Sequence, residues 1–261
     1  MARDETVSEP QESAEQKGDQ SFSGKVIRNT LFNTLGHIWS MGIRFYLTPY
    51  VALSIGNERY GIWGIVGILS GYFSLLDLGL ARSFDKYLAE YYTKQDYESF
   101  NKVLSIGFIY YIAFSLVMVG AVLLFYAPIM DLLKWSPDRL DQEVMEESQF
   151  AIIWSIVIFG YAMTSSVFGM VMTGLQRMDV INKIGIVSSL LTLIGTYIVI
   201  ESGYGLRGLV INNGVIAIVG SIITLFAAYR IYPQLRINPF RLDWTMFRRM
   251  FSFGTKLQVA K

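Results

Sequence analysis

Long apolar stretches, separated by short polar segments, follow one another along most of the chain after residue 29. Each stretch holds about 18 or more residues, enough for a helix to cross the ~30 Å hydrocarbon core of a bilayer. The pattern predicts six membrane-spanning helices. Their predicted ranges are 30–53, 60–81, 103–130, 150–175, 184–200 and 206–231. A further apolar stretch opens at residue 251 and is predicted to begin a seventh helix.

The first predicted span carries six polar side chains at helical spacing. Their steps of three and four residues place them within roughly 80° of one another on one helix face. An Arg near the middle of a bilayer costs at least about 2.5–3.5 kcal/mol unless it faces water or a partner. We interpret this face as the lining of a hydrophilic cavity. The alternative is that Arg44 pairs with a buried carboxylate and holds helices together. The six residues are Thr30, Asn33, His37, Ser40, Arg44 and Thr48.

Other polar residues lie inside the later predicted spans. Asp77 is expected to form a local anchor with Arg82, and a proton or cation site is the alternative. Asn212 and Asn213 suit sugar hydroxyls and interhelical hydrogen bonds equally well. The fifth span has a face of small and hydroxyl side chains, which more often indicates close helix packing than substrate contact. That face consists of Gly185, Ser188, Ser189, Thr192 and Thr196.

The composition indicates an all-α polytopic membrane protein. Hydrophobic residues make up 52% of the chain and charged residues 16%, whereas soluble domains have about 25% charged residues. The chain has no cysteine and one histidine, which argues against disulfides, zinc–thiolate sites, iron–sulfur clusters and His-ligated metals. It also has no Gly-rich nucleotide-binding loop. We therefore expect no cofactor and no enzymatic activity, and any transport would be driven by a gradient or a partner.

Basic residues orient the predicted spans. Fifteen Lys and Arg residues fall on the side of the N-terminus and only four on the opposite side. The positive-inside rule then predicts a cytoplasmic N-terminus. Residues 1–28 are rich in Glu, Gln, Ser and Asp and are predicted to be a disordered cytoplasmic tail.

Two polar linkers on the same side are predicted to be amphipathic helices at the membrane interface. They cover residues 83–102 and 239–250, where aromatic and basic side chains recur at helical spacing. Residues 29–250 would then form a lobe of six spanning helices, and residues 251–261 would begin the seventh. A protein rarely ends inside a span, so we expect a longer protein; a short interfacial tail is the alternative.

The segment around the second predicted span resembles bacterial polysaccharide flippases, the O-antigen and lipid-linked oligosaccharide exporters of the multidrug/oligosaccharidyl-lipid/polysaccharide superfamily. The likeness is clear over residues 31–102. Pro49 and Gly56 also lie where that family tends to have them. The residues that carry the resemblance are Tyr60-Gly61-Ile62-Trp63-Gly64, Gly71-Tyr72, Leu75-Leu76-Asp77-Leu78-Gly79-Leu80 and Tyr87-Leu88-Ala89-Glu90.

The resemblance implies two lobes of six helices around a central cavity, of which this chain would supply the N-terminal lobe and the start of helix seven. It implies an inner-membrane flippase for a polyprenyl-diphosphate-linked oligosaccharide. The expected partners are that substrate and membrane lipids, with a polysaccharide polymerase and other biosynthesis proteins as further candidates, and no nucleic acid. Cations in the cavity would hold the diphosphate. The candidate binding residues are Arg44, His37, Asn33, Ser40, Asn213 and Lys256, with Asp77 as the candidate for ion coupling.

There are two alternatives to a flippase, one from the same superfamily and one from another class of protein. A cation-coupled drug exporter of the same superfamily would place a carboxylate in the cavity, and the first span has none. A membrane-embedded glycosyltransferase or ligase would need catalytic carboxylates or basic clusters in large outer loops. The longest such loop offers acidic residues with only Lys134 and Arg139.

Overall fold

The computed structural model describes residues 34–36, 38–75, 80–132, 141–238 and 243–259, and all regular structure among them is helical. The predicted tail 1–28 and the residues Thr30, Asn33, His37 and Asp77 lie outside the described part. The helices are α1 (34–36 and 38–55), α2 (Asn57–Leu75), α3 (Leu80–Thr93), α4 (Tyr97–Leu124), α5 (Tyr126–Leu132), α6 (Gln142–Gly174), α7 (Met178–Glu201), α8 (Gly205–Ile231) and α9 (Trp244–Val259).

Four of the described helices are long and apolar enough to cross a membrane, namely α4, α6, α7 and α8. The shortest of them has 24 residues, a length of about 36 Å at 1.5 Å per residue. The chain is therefore an all-α polytopic membrane protein, as its hydrophobic pattern predicts. Helices α1 and α2 overlap the first two predicted spans, although α1 ends two residues later than predicted and α2 begins three residues earlier. The passage of these two helices through the bilayer stays a prediction.

Helix α6 is the centre of the bundle, because it packs against α2, α3, α4, α7 and α8. Small residues allow the close contacts that hold such bundles together. At Gly160, α4 comes near enough for the hydroxyl of Ser115 to donate a 2.9 Å hydrogen bond to the Gly160 carbonyl oxygen. The contact between α7 and α8 is likewise polar, since the buried Asn212 amide donates to Thr196 at 3.5 Å.

Helices α3 and α9 pack on each other at one end of the bundle. Helix α3 is amphipathic and buries Phe84 and Leu88. The Ser83 hydroxyl donates to the Met250 carbonyl oxygen at 2.8 Å, and the Lys86 ammonium lies 3.8 Å from the centre of the Phe253 ring. The boundaries differ from the predicted linkers, because α4 already begins at Tyr97 and α9 runs through residue 251 without a break.

The opposite end of the bundle is tied by ion pairs. Arg59, at the start of α2, contacts Glu147 at 2.5 Å and Glu143 at 3.3 Å, and Arg207 of α8 lies 3.5 Å from Glu146. The three acids belong to the first turns of α6, so this helix begins about two turns before the predicted fourth span. The apolar pattern cannot show this extension, because those turns are charged.

The third predicted span, 103–130, is divided in the structure. Helix α4 ends at Leu124, and the short α5 follows with Pro128 in its first turn. A proline has no N–H to donate to the carbonyl four residues earlier, and its ring clashes with that carbonyl. Pro128 therefore ends the hydrogen-bond ladder at Leu124, although the side chains on both sides of the break are apolar.

Gly174 lies where α6 packs closely against α3, and we expect Gly174→Ala to destabilise the bundle. A methyl group at this position would lie 2.7 Å from the Leu88 Cβ atom. Overpacking of this kind typically costs about 1–3 kcal/mol. Thermal unfolding of the purified protein in detergent measures the effect. Gly120→Ala is the matched control, because nothing lies within 4 Å of its added methyl; equal loss in both variants would contradict the packing argument.

Candidate functional site

A cavity of about 910 Å³ lies among α1, α2, α6, α7 and α8. Ser40 and Arg44 line it from α1 and Asn213 lines it from α8. Arg44 is eleven residues from the end of α1 at residue 55, about 16 Å along the helix, and so near the middle of the predicted first span. The lining residues are Ser40, Ile43, Arg44, Trp63, Val66, Gly67, Ser70, Ser155, Ile158, Phe159, Ala162, Gly185, Ser188, Ser189, Thr192, Asn213, Ile216 and Ala217.

Arg44 is the single charged residue among the described lining residues of this cavity. No carboxylate of the described part forms an ion pair with it. The alternative of a structural ion pair therefore finds no partner in that part of the chain. A guanidinium presents five N–H donors in a planar fork and can hold a phosphate by two parallel hydrogen bonds. The cavity is suited to an anionic group.

The hydroxyl face of the fifth predicted span is shared between the cavity and the helix contact. Gly185, Ser188, Ser189 and Thr192 line the cavity, whereas Thr196 is buried and accepts the hydrogen bond from Asn212. The spacing shows that these residues share a face of α7. It does not show that most of this face meets open space, and the sequence interpretation as packing therefore missed the part at the cavity.

The structure also separates the two neighbouring asparagines of α8. Asn212 is buried in the contact with α7, where the absence of a side chain at Gly195 leaves room for its amide. Asn213 is exposed and lines the cavity. Adjacent residues on a helix point about 100° apart, so one asparagine can hold α7 and α8 together while the next faces the open space.

Not every candidate residue lies at this cavity. Lys256 is exposed on α9, which packs against α3 and α4, and it is not among the described lining residues. Asn33, His37 and Asp77 lie outside the described part. The roles predicted for these four residues stay predictions. The structure does bring together three of the predicted binding residues, Ser40, Arg44 and Asn213.

An apolar groove of about 650 Å³ runs between α1 and α7, beside the cavity. Ile43 of α1 lines both spaces. The polar cavity and the apolar groove are therefore neighbours on α1. The groove is lined by Ile38, Trp39, Gly42, Ile43, Tyr46, Leu193, Ile194 and Tyr197.

No cluster of His, Cys, Asp and Glu side chains that could hold a metal ion occurs in the described ranges. The described cavity lining also contains no carboxylate. A cation-coupled exporter would need such a carboxylate in its binding cavity. In this part of the chain the arrangement favours an anionic ligand over a cationic one.

Comparison with known proteins agrees with these observations. A profile of the family described as "Polysaccharide biosynthesis protein" matches residues 26–261. A protein of Shigella flexneri named "Putative O-antigen transporter" is 23% identical over 239 residues, which cover 90% of this chain and 54% of that relative. The chain thus spans about half the length of the curated relative it matches. No solved structure matches the chain.

Proposed function

We propose that this chain is part of a transporter for polysaccharide export, because it belongs to the polysaccharide biosynthesis protein family. Membership of the family confirms the resemblance inferred from residues 31–102. We infer further that the substrate is a polyprenyl-diphosphate-linked oligosaccharide, moved from the cytoplasmic to the outer leaflet of the inner membrane by alternating access. This chain would supply the N-terminal lobe, and a second lobe would enclose the cavity from the other side.

The observation that carries the proposal is the position of Arg44. It is the single charge on the described lining of a cavity of about 910 Å³, and it lies near the middle of the predicted first span. A charge at that depth is costly unless it has water or a ligand to contact. A diphosphate passing through the cavity would supply such a contact, and the hydroxyl groups around it would suit an attached glycan.

The apolar groove beside the cavity supports a ligand that is polar at one end and apolar at the other. A polyprenyl chain needs an apolar path while its diphosphate stays in the polar cavity. The two spaces share Ile43, so both parts of one molecule could be accommodated across α1. The alternative of a glycosyltransferase or ligase has less support, because the relative is named as a transporter.

Export can be tested directly in cells that lack the gene. We expect loss of surface polysaccharide together with accumulation of the lipid-linked oligosaccharide in the cytoplasmic leaflet, because synthesis continues while translocation stops. The measurements are surface polysaccharide by gel electrophoresis and access of a membrane-impermeant lectin to the lipid-linked glycan on spheroplasts. Normal lectin access in the deletion strain would contradict the proposal. Unchanged glycan with increased sensitivity to drugs would favour the drug exporter.

The proposed orientation places the α3–α9 end in the cytoplasm and the start of α6 outside. Among the described residues, and without counting Lys256 of α9, ten basic ones lie at the first end, and Arg59 and Arg207 lie at the other. The ten are Arg82, Lys86, Lys94, Lys102, Arg177, Lys183, Arg230, Arg236, Arg248 and Arg249.

The natural absence of cysteine makes this orientation testable by labelling. We expect Asp141→Cys to react with an impermeant thiol reagent in intact spheroplasts and Glu98→Cys to react only after permeabilisation. Asp141 is exposed and its side chain caps no backbone N–H, and the side chain of Glu98 is 81% exposed, so both sites should tolerate the change. The cysteine-free parent is the control, and the reverse labelling pattern would invert the orientation.

A further inference from the structure

Two hydroxyl groups of α7 at the cavity each already donate a hydrogen bond with their only proton. Ser189 Oγ donates a 2.9 Å hydrogen bond to the Ile186 carbonyl oxygen, and Thr192 Oγ1 donates one of 2.9 Å to the Ser188 carbonyl oxygen. A hydroxyl has one proton and two lone pairs. Towards the cavity these oxygens can therefore only accept hydrogen bonds.

The same arrangement recurs on α2, across the cavity. Ser70 Oγ donates to the Val66 carbonyl oxygen at 2.9 Å, which leaves this oxygen as an acceptor too. Arg44 on α1 is the opposite case, since a guanidinium has five donors and no acceptor. The cavity lining thus includes a donor-only group on α1, and hydroxyl oxygens on α7 and α2 that can accept while keeping their bonds to the helix backbone.

A phosphate or a carboxylate carries acceptors only, so it matches Arg44 and is mismatched to the α7 hydroxyls. To donate to such an anion, Ser189 or Thr192 would have to give up its bond to the helix backbone. Sugar hydroxyls and acetamido N–H groups, in contrast, can donate to these oxygens as they stand. A molecule that joins a diphosphate to a sugar offers both kinds of group at once.

We propose that Ser189 and Thr192 form a sugar-recognition surface, which accepts hydrogen bonds from hydroxyl or N–H groups of the glycan while Arg44 holds the diphosphate. The inference rests on the proposed function and adds which residues distinguish a glycosylated carrier lipid from the bare one. Each accepted bond is expected to strengthen binding of the glycosylated ligand by about three- to tenfold, the usual net range for one hydrogen bond.

Thr196 serves as an internal comparison, because it occupies the same face of α7 but is buried and bonded to Asn212. If the hydroxyls of this face served packing alone, Thr192 and Thr196 would respond alike to loss of the hydroxyl. If the inference holds, Thr196→Val lowers the thermal stability of the protein. Thr192→Val, which keeps the shape of the side chain, leaves stability unchanged and lowers affinity for the glycan.

The decisive experiment measures binding of two probes to the whole protein purified in detergent. One probe is the lipid-linked oligosaccharide extracted from the membranes of cells that make the protein, and the other is polyprenyl diphosphate without sugar. We expect Ser189→Ala/Thr192→Val to weaken binding of the first probe about ten- to a hundredfold, the product of two lost bonds, and of the second less than twofold. Thr192→Ser, which keeps the hydroxyl, should retain most of the affinity, and Arg44→Gln should weaken both probes.

The outcomes separate this inference from the proposed function. Equal weakening of both probes by the α7 variant, or no weakening of either, would overturn the sugar-recognition surface while leaving the transporter in place. Failure of the wild-type protein to bind either probe, or binding that Arg44→Gln does not change, would overturn the proposed function and this inference with it. A fall in thermal stability of the α7 variant without restoration by Thr192→Ser would indicate a packing role instead.

Discussion

Arg44→Gln is expected to abolish polysaccharide export while the protein reaches the membrane at near-normal abundance. The change keeps a polar, though shorter, side chain but removes the charge and the paired donors. Charge-assisted hydrogen bonds contribute about 1.5–3 kcal/mol each, so losing two of them would weaken the hold on a diphosphate by more than a hundredfold. Arg44→Lys keeps a point charge and should retain partial export. The measurement is export per molecule, from surface polysaccharide divided by the amount of membrane-inserted protein.

Arg230→Gln is the matched control for this experiment. It is the same change at an exposed Arg in the last turn of α8, away from the described cavity lining. We expect it to leave export unchanged. The structural ion-pair alternative makes the opposite forecast for Arg44→Gln, with lower abundance and normal export by the protein that remains. That result would show that Arg44 does not bind the substrate.

Much of the architecture could be predicted because the bilayer restricts what a spanning segment can be. Length and hydropathy locate the spans, and a period of 3.6 residues indicates which side chains share a helix face. That is why Ser40 and Arg44 were expected together at a cavity before their neighbours were known. The helical face of α1 is a local property, and local properties follow from spacing.

What a face meets is not a local property. The small and hydroxyl residues of α7 suit a helix contact and a cavity equally, and the choice depends on how far α1 and α2 stand away from α7. In the structure Thr196 lies in the contact between α7 and α8, and Ser189 lines the cavity. Asn212 and Asn213 divide in the same way. The sequence therefore fixes these residues' directions relative to one another but not their surroundings.

The ends of the helices were predicted least well, because charges and backbone rules act there against the apolar pattern. Pro128 ends α4 inside an apolar stretch. The acidic turns at 142–147 are helical although they read as a loop. Two of their carboxylates pair with Arg59 and Arg207, which come from distant parts of the chain. Only the tertiary arrangement brings those charges together.

The pair of Arg59 and Glu147 is the ionic contact between α2 and α6 that lies furthest from water. Glu147 is 7% exposed, and Arg59 Nε contacts its carboxylate at 2.5 Å. The hydrogen bond that Arg59 donates to Glu147 raises the pKa of the guanidinium above its usual value, so Arg59 stays charged at any physiological pH. Glu143, the second partner, has a side chain that is 77% exposed and should add little.

We expect Arg59→Met to destabilise the protein strongly, because it leaves the carboxylate of Glu147 buried without its cation. Breaking a fully buried pair in this way costs about 3–5 kcal/mol, and we expect about 2–3 kcal/mol here because Arg59 keeps part of its side chain in water. Glu147→Gln in the Arg59→Met background should recover much of the loss, since it removes the unpaired charge. Thermal unfolding in detergent of the single and double variants gives the coupling energy.

Arg207→Met is the control, as its pair with Glu146 is about half exposed on both sides and should contribute less than about 1 kcal/mol. Equal destabilisation by Arg59→Met and Arg207→Met, with no recovery in the double variant, would show that burial does not set the strength of this contact.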